Sequence, residues 1–179
     1  MSGWSAKRFW KAAEAVAAEG GYGVVLDGRP VRTPAKAPLV VPSLALAQAI
    51  AAEWDAQGEK IAPETMPATR AANAAIDKVR AQQAEVAELI AEYGGTDLLC
   101  YRAETPEELI ARQSAAWDGW LDWAAAHYGA RLVVTVGVIP VAQPPEALAA
   151  LRARVAAMDP FELAALHDLV GITGSLVLG

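Results

Sequence analysis

Along this chain the apolar residues first come in short blocks and then settle into a helical period. Residues 22–26 and 39–41 are apolar or β-branched blocks bounded by Gly and Pro, and they predict small antiparallel strands. Between them Asp27-Gly28 supplies the positive φ angles of a primed hairpin turn, with Val24 to Leu26 before it and Val31 after it. Residues 8–16 are ambiguous by pattern alone, since their alanines and Glu14 favour helix.

From Ser43 onward the period is close to 3.6. Pro42-Ser43 is an N-cap entry, and Ala47, Ile50, Ala51 and Trp54 then share one face before Gly58 stops the helix. Ala72, Ala75, Ile76 and Val79 form a second stripe, and Val86, Leu89, Ile90 and Tyr93 a third, ended by Gly94-Gly95. The next helix has the clearest start: Thr105 as cap, Pro106 at the first position, and Glu108 completing a capping box. It is expected to reach Tyr128, with Gly129 as its stop. Residues 132–141 are a strand or an extended connector. Two helices follow, over 145–158 with Leu148, Leu151 and Val155 in phase, and over 161–170 behind the box Asp159-Pro160-Phe161-Glu162. The pattern predicts an α+β fold: a small N-terminal antiparallel β domain with packed helices over residues 1–104, then an all-helical C-terminal domain over 105–179.

Composition narrows the function. The hydrophobic fraction of 54% is raised largely by alanine, which favours helix more than a thick core. No apolar run approaches the roughly 18 residues that span a bilayer. The first ten residues lack a signal-peptide core and are too short and Arg-poor for a transit peptide, so the expectation is a soluble monomer made where it works, with no membrane partner. The net charge is −6 and the basic residues are scattered, which argues against a nucleic-acid partner. The lone Cys100 excludes an intramolecular disulfide and a multi-cysteine zinc site, and fits a reducing compartment.

Candidate chemistry is sparse. His127 and His167 have no second ligand at metal spacing, and His127 in a last helical turn offsets the helix dipole. Cys100 lies within the apolar run Leu98-Leu99-Cys100-Tyr101, a setting that raises a thiol pKa. Gly20-Gly21-Tyr22-Gly23 and Gly171-Ile172-Thr173-Gly174-Ser175 lack the lysine of a phosphate loop. Glu104, Glu107 and Glu108 need only capping and dipole roles. No catalytic residue, metal ligand or cofactor site is therefore expected. The six tryptophans are the exception. Ile110, Gln113, Trp117, Trp120, Leu121, Ala124 and Tyr128 form one stripe, which predicts core positions for Trp117 and Trp120. Trp123 falls at its margin, either as a rim of the core or as a partner-binding residue. Trp4 precedes the first strand.

The strings Leu26-Asp27-Gly28-Arg29-Pro30-Val31-Arg32-Thr33-Pro34 and Gly95-Thr96-Asp97-Leu98-Leu99-Cys100-Tyr101-Arg102 are specific as an ordered pair. With Glu53-Trp54-Asp55-Ala56-Gln57, Met66-Pro67, Ile76-Asp77 and Gly174-Ser175-Leu176 they span nearly the whole chain. In that order they resemble an assembly chaperone family of the F-type ATP synthase, the member that handles the α subunit of its catalytic sector. The resemblance implies a first strand within 8–16. It also implies a chaperone that holds the free α subunit, shields the surface later covered by the β subunit and prevents aggregation, in the cytoplasm of a bacterium. In the family the Gly-Ser-Leu segment leads into further helix and an acidic, aromatic close. The apolar stretch 172–178, helix-compatible and uncapped, is thus expected to be truncated, or else to be an apolar end tucked into the core. No functional residue is carried over from the family. The alternatives are an enzyme completed by a missing C-terminal segment and a helical adaptor with another client.

Overall fold

The computed structural model describes residues 7–179, and Trp4 lies outside them. The chain divides into two compact units, Met1–Ala81 and Gln82–Gly179.

In the first unit β1 (Ala13–Ala18) and β2 (Gly21–Leu26) pair antiparallel from Ala13↔Leu26 to Ala18↔Gly21. Alanine and Glu14 do not make a helix here because β2 offers six ladder partners and a helix covers the pair; tertiary context overrides propensity. The chain turns through Asp27 (φ 47°) and Gly28 (φ 80°), so β3 (Arg29–Pro30) returns along β2. β4 (Val40–Val41) pairs with β2 at Tyr22 and Gly23. It passes so close that a Cβ on Gly21 would lie 2.3 Å from the Val41 carbonyl oxygen, so only glycine fits as the first residue of β2, and the turn before it is Glu19-Gly20.

α1 (Leu44–Asp55) starts at Ser43, whose hydroxyl accepts the Leu46 N–H at 3.2 Å. Its buried residues, Ala47, Ile50 and Ala51, belong to the core that holds Val24, Leu26 and Val41. The helix ends at Asp55, ahead of the expected Gly58 stop. A short 3-10 turn (Pro63–Thr65) leads to α2 (Pro67–Asp77), which buries Ala72, Ala75 and Ile76 as its stripe predicts, and Thr69 besides. Val79, just beyond, is buried as well.

The second unit begins at α3 (Gln83–Ala91) and the 3-10 turn Glu92–Thr96. Its phase differs from the predicted stripe. Leu89 and Tyr93 are exposed, and Ala87, Ile90, Ala91 and Gly94 face inward. Ile90 fills the core from this face, and at its end only glycine fits well: a Cβ on Gly94 would sit 3.4 Å from Leu151 and from Leu176. After a 3-10 turn over Leu98–Cys100 come β5 (Tyr101–Arg102) and α4 (Glu107–Tyr128). β6 (Thr135–Val136) pairs parallel with β5, so the stretch 132–141 is mostly an extended connector with one short ladder. α5 (Pro145–Ala156) buries Ala147, Leu151 and Val155, and α6 (Pro160–Thr173) buries Leu163, Leu166 and Val170. α3 packs on both α5 and α6, which places it with the second unit. The units accordingly part at Ala81/Gln82, where the sequence led us to expect 104/105.

Three helix ends decide between local expectations. Asp159 and Glu162 form the reciprocal capping box as expected. At α4 the box is absent: Pro106 itself is the extended cap residue, which leaves Thr105 one position too early. Gly129 ends α4 in the left-handed conformation, as predicted. The segment after Thr173 does not continue α6. Gly174 closes α6 in the left-handed conformation, and Ser175 and Leu176 turn inward and are buried. No helix among the described residues is long and apolar enough to cross a membrane.

Candidate functional site

Several of the chain's acidic and amide side chains hold its own backbone. The Asp27 carboxylate accepts the N–H groups of Lys11 and Ala12 at 3.0 Å, and these bonds, Ala12's foremost, hold its pKa below 3.8. Glu53 on α1 accepts the N–H groups of Ala68 (2.6 Å) and Thr69 (2.8 Å), so it caps α2, whose own cap residue Met66 has no capping side chain. Asp55 accepts from Ala13, Asp77 accepts from Ala35, and Gln57 bonds Ala62 and Thr65. In the second unit Asp97 is fully buried. One oxygen takes the Leu99 N–H at 2.9 Å; the other takes Leu176 at 2.7 Å and Val177 at 3.0 Å. The Leu98 N–H in turn reaches the Gly174 carbonyl at 2.9 Å. Two strings far apart in sequence, Gly-Thr-Asp and Gly-Ser-Leu, thus lock together.

Around that lock the polar groups are spoken for. Arg102 is buried and donates to the carbonyls of Leu99 and Tyr101 and to Asp118, with its guanidinium 5.4 Å from the Trp117 ring. Cys100 is buried; burial, with the Asp97 charge adding and Arg102 offsetting, pushes its thiol up to about 11. His127 and His167 are exposed on the surface of their helices, and His167 lies 3.3 Å from its neighbour Asp168. The thiol and the imidazoles form no hydrogen-bonded pair.

An open groove of about 410 Å³ runs between α4, α5, α6 and the C-terminal turn. Trp120 and Trp123 form one wall, meeting edge to face at 6.3 Å, and Trp123 continues onto Tyr128 at 5.2 Å and His127 at 5.0 Å. The floor is aliphatic, from Leu151, Val155, Leu166 and Leu176. Arg154 is its only charged side chain, its guanidinium 5.4 Å over the Tyr128 ring. The expected core stripe of α4 is corrected here. Only Leu121 and Ala124 of the helix are buried, Trp117 is half-buried under Arg102, and Trp120 is 50% exposed. Trp123, the expected partner-binding candidate, is half-buried in the groove wall. Sequence reasoning did not reach Arg154, Met158 or Leu178, which the fold brings to the same groove from other elements. Arg154 carries no local signal beyond its place next to Val155 in the α5 stripe.

Residues 7–125 match the family described as ATP12 chaperone protein. The chain belongs to the ATP12 chaperone family. Its fold agrees with that of Atp12 from Paracoccus denitrificans, known also as a point mutant: TM-score 0.92 and 54% identity over 97% of this chain and 74% of that one. The Atu1473 protein of Agrobacterium tumefaciens is similar at TM-score 0.89 and 46% identity, over 96% of this chain and 65% of that one. Membership in the ATP12 family makes the chain a chaperone and not an enzyme. The family's recognisable strings also gain a physical meaning: Asp27, Glu53, Asp55, Asp77 and Asp97 are the carboxylates that fasten backbone to backbone.

Proposed function

We propose that this chain acts in assembly of the F-type ATP synthase by holding the unassembled α subunit of its catalytic sector and keeping it from aggregating. The observation that carries the reading is membership in the ATP12 chaperone family, joined to the ordered strings that resemble the α-subunit chaperones. The aromatic groove is consistent with it, because an apolar concavity suits capture of apolar side chains. The physics is mass action. A binder that masks an exposed interface lowers the concentration of the self-associating form and spends no nucleotide. Handover to the β subunit calls for moderate affinity. We place this work in a bacterial cytoplasm, with the protein acting as a monomer.

Light scattering of isolated α subunit at a fixed molar excess of the protein tests the proposal. Scattering is expected to fall without added nucleotide. Unchanged aggregation across the concentration range would refute the assignment of the α subunit as client.

A further inference from the structure

We infer that the outer edge of β1 is a docking edge, onto which an extended segment of the α subunit adds as a further strand of the first unit's sheet. This rests on the reading of the chain as an α-subunit chaperone. The pairing of β1 decides which of its backbone groups face outward. The Asp27 N–H reaches the Ala12 carbonyl at 3.1 Å, and with Ala13 opposite Leu26 this gives the ladder bonds to Glu14, Val16 and Ala18. Ala13, Ala15 and Ala17 therefore turn their N–H and C=O groups away from β2. The Ala13 N–H is met there by Asp55 at 3.2 Å, as that alternation requires. The N–H groups of Ala15 and Ala17 and the carbonyls of all three have no partner among the described residues. A row of alternating donors and acceptors of this kind fits an extended backbone and little else.

The other strand edges are closed by local chemistry. On β3 the outward residue is Pro30, since Val31 donates inward to Val24 at 2.8 Å, and proline has no N–H to offer. On β4 the outward Val40 N–H is spent on the Pro38 carbonyl at 3.1 Å. β6 stops before Gly137, whose φ of 83° ends the extended run. β1 is instead six residues long, holds neither Pro nor Lys, and keeps an unbroken register. Charge then separates a client strand from a second copy. Glu14 is exposed within β1 and Glu19 follows it, in a chain of net charge −6. Two copies repel each other, whereas a client strand with a lysine or arginine opposite Glu14 gains a cross-strand pair. The occupant is thus an extended segment of the α subunit with a basic residue in register with Glu14.

The test follows amide exchange residue by residue in the protein, alone and with isolated α subunit, and measures α-subunit binding by wild type, Ala17→Pro and Glu14→Lys. In the free protein Ala15 and Ala17 should exchange about 100-fold faster, or more, than Glu14, Val16 and Ala18. Added α subunit should slow Ala15 and Ala17 about tenfold or more. Ala17→Pro removes an outward N–H and spares the ladder to β2, so it is expected to bind about tenfold more weakly. Glu14→Lys is expected to weaken binding about threefold. Binding by wild type while Ala15 and Ala17 still exchange fast would overturn the inference, whatever the variants do, and leave the chaperone reading standing. A folded Ala17→Pro, checked by its Tm, that binds like wild type would overturn it too. Equal binding by Glu14→Lys would overturn the basic occupant. Protection of Ala15 and Ala17 before α subunit is added, by the chain itself or by a second copy as concentration rises, would also overturn it. No binding by wild type would instead remove the chaperone reading, and this inference with it.

Discussion

Asp97 shows how one side chain can hold a fold together. A fully buried carboxylate is costly unless its charge is met, and three backbone N–H groups meet it here. Asp97→Ala would leave those donors unsatisfied, so we predict a loss of about 3 kcal/mol or more, or roughly 10 °C in Tm. Asp97→Asn should lose less, because one amide oxygen still accepts. Urea unfolding at the wild-type midpoint for Asp97→Ala would contradict this account. Next to it, the Cys100 thiol keeps its proton longer in the folded chain than its ordinary value of 9.0 would allow, up to about 11. Its contribution to stability is therefore complete below pH 9 and is lost as pH rises through about 11. Thiol reagents at pH 8 should modify it only on unfolding, and rapid labelling of the native protein would disprove the burial argument. Asp27 has the opposite sign: its bonds to Ala12 and Lys11 stabilise above the ordinary carboxylate pKa and fade as pH falls.

At the scale of elements, helix ends and helix faces are set by different forces. α2 begins without a capping side chain of its own and borrows Glu53 from α1. Glu53→Ala should cost about 1–2 kcal/mol, the usual price of a lost cap, and should speed amide exchange at Ala68 and Thr69 before other sites in α2. Uniform exchange across α2 in the variant would argue against a capping role. Along α4 the contrast lies between neighbours. Leu121 is buried and Trp120 is half exposed. Leu121→Ala is expected to destabilise by about 2–4 kcal/mol and Trp120→Ser by under about 1 kcal/mol, although tryptophan is the larger side chain. Chemical denaturation of the two variants checks the order, and a reversed order would restore the core reading of Trp120.

For the whole molecule, the relevant quantities are surface and charge. The proposed masking role calls for exposed apolar surface in the free state, and the described residues present it in the groove and along 133–141. Solubility then has to come from elsewhere, and a net charge of −6 provides mutual repulsion between copies. Because masking needs no hydrolysis, millimolar Mg-ATP is expected to leave both Tm and client protection unchanged. A nucleotide-dependent rise in Tm, read by differential scanning fluorimetry, would contradict that prediction.

What the sequence determined by itself was local or ordered. The Asp27-Gly28 hairpin, the Ser43 cap, the Asp159 box and the Gly129 stop were all legible, because each depends on the φ/ψ preferences or hydrogen bonds of a few adjacent residues. The α+β outline and the family followed from period and from string order. Tertiary structure decided whatever depends on a distant part of the chain. Ala13–Ala18 is a strand because β2 is beside it; α3 turns Leu89 outward because the face that packs on α5 and α6 is the one carrying Ala87, Ile90 and Ala91. Arg154 joins Trp123 only once α5 has packed near α4. The bonds from Leu176 and Val177 to Asp97 span 79 and 80 residues. Periodicity shows which face of an element is apolar, but not which partner that face will meet or how closely. Those depend on non-local packing, and so the scaffold's outline was readable in the sequence while the groove was not.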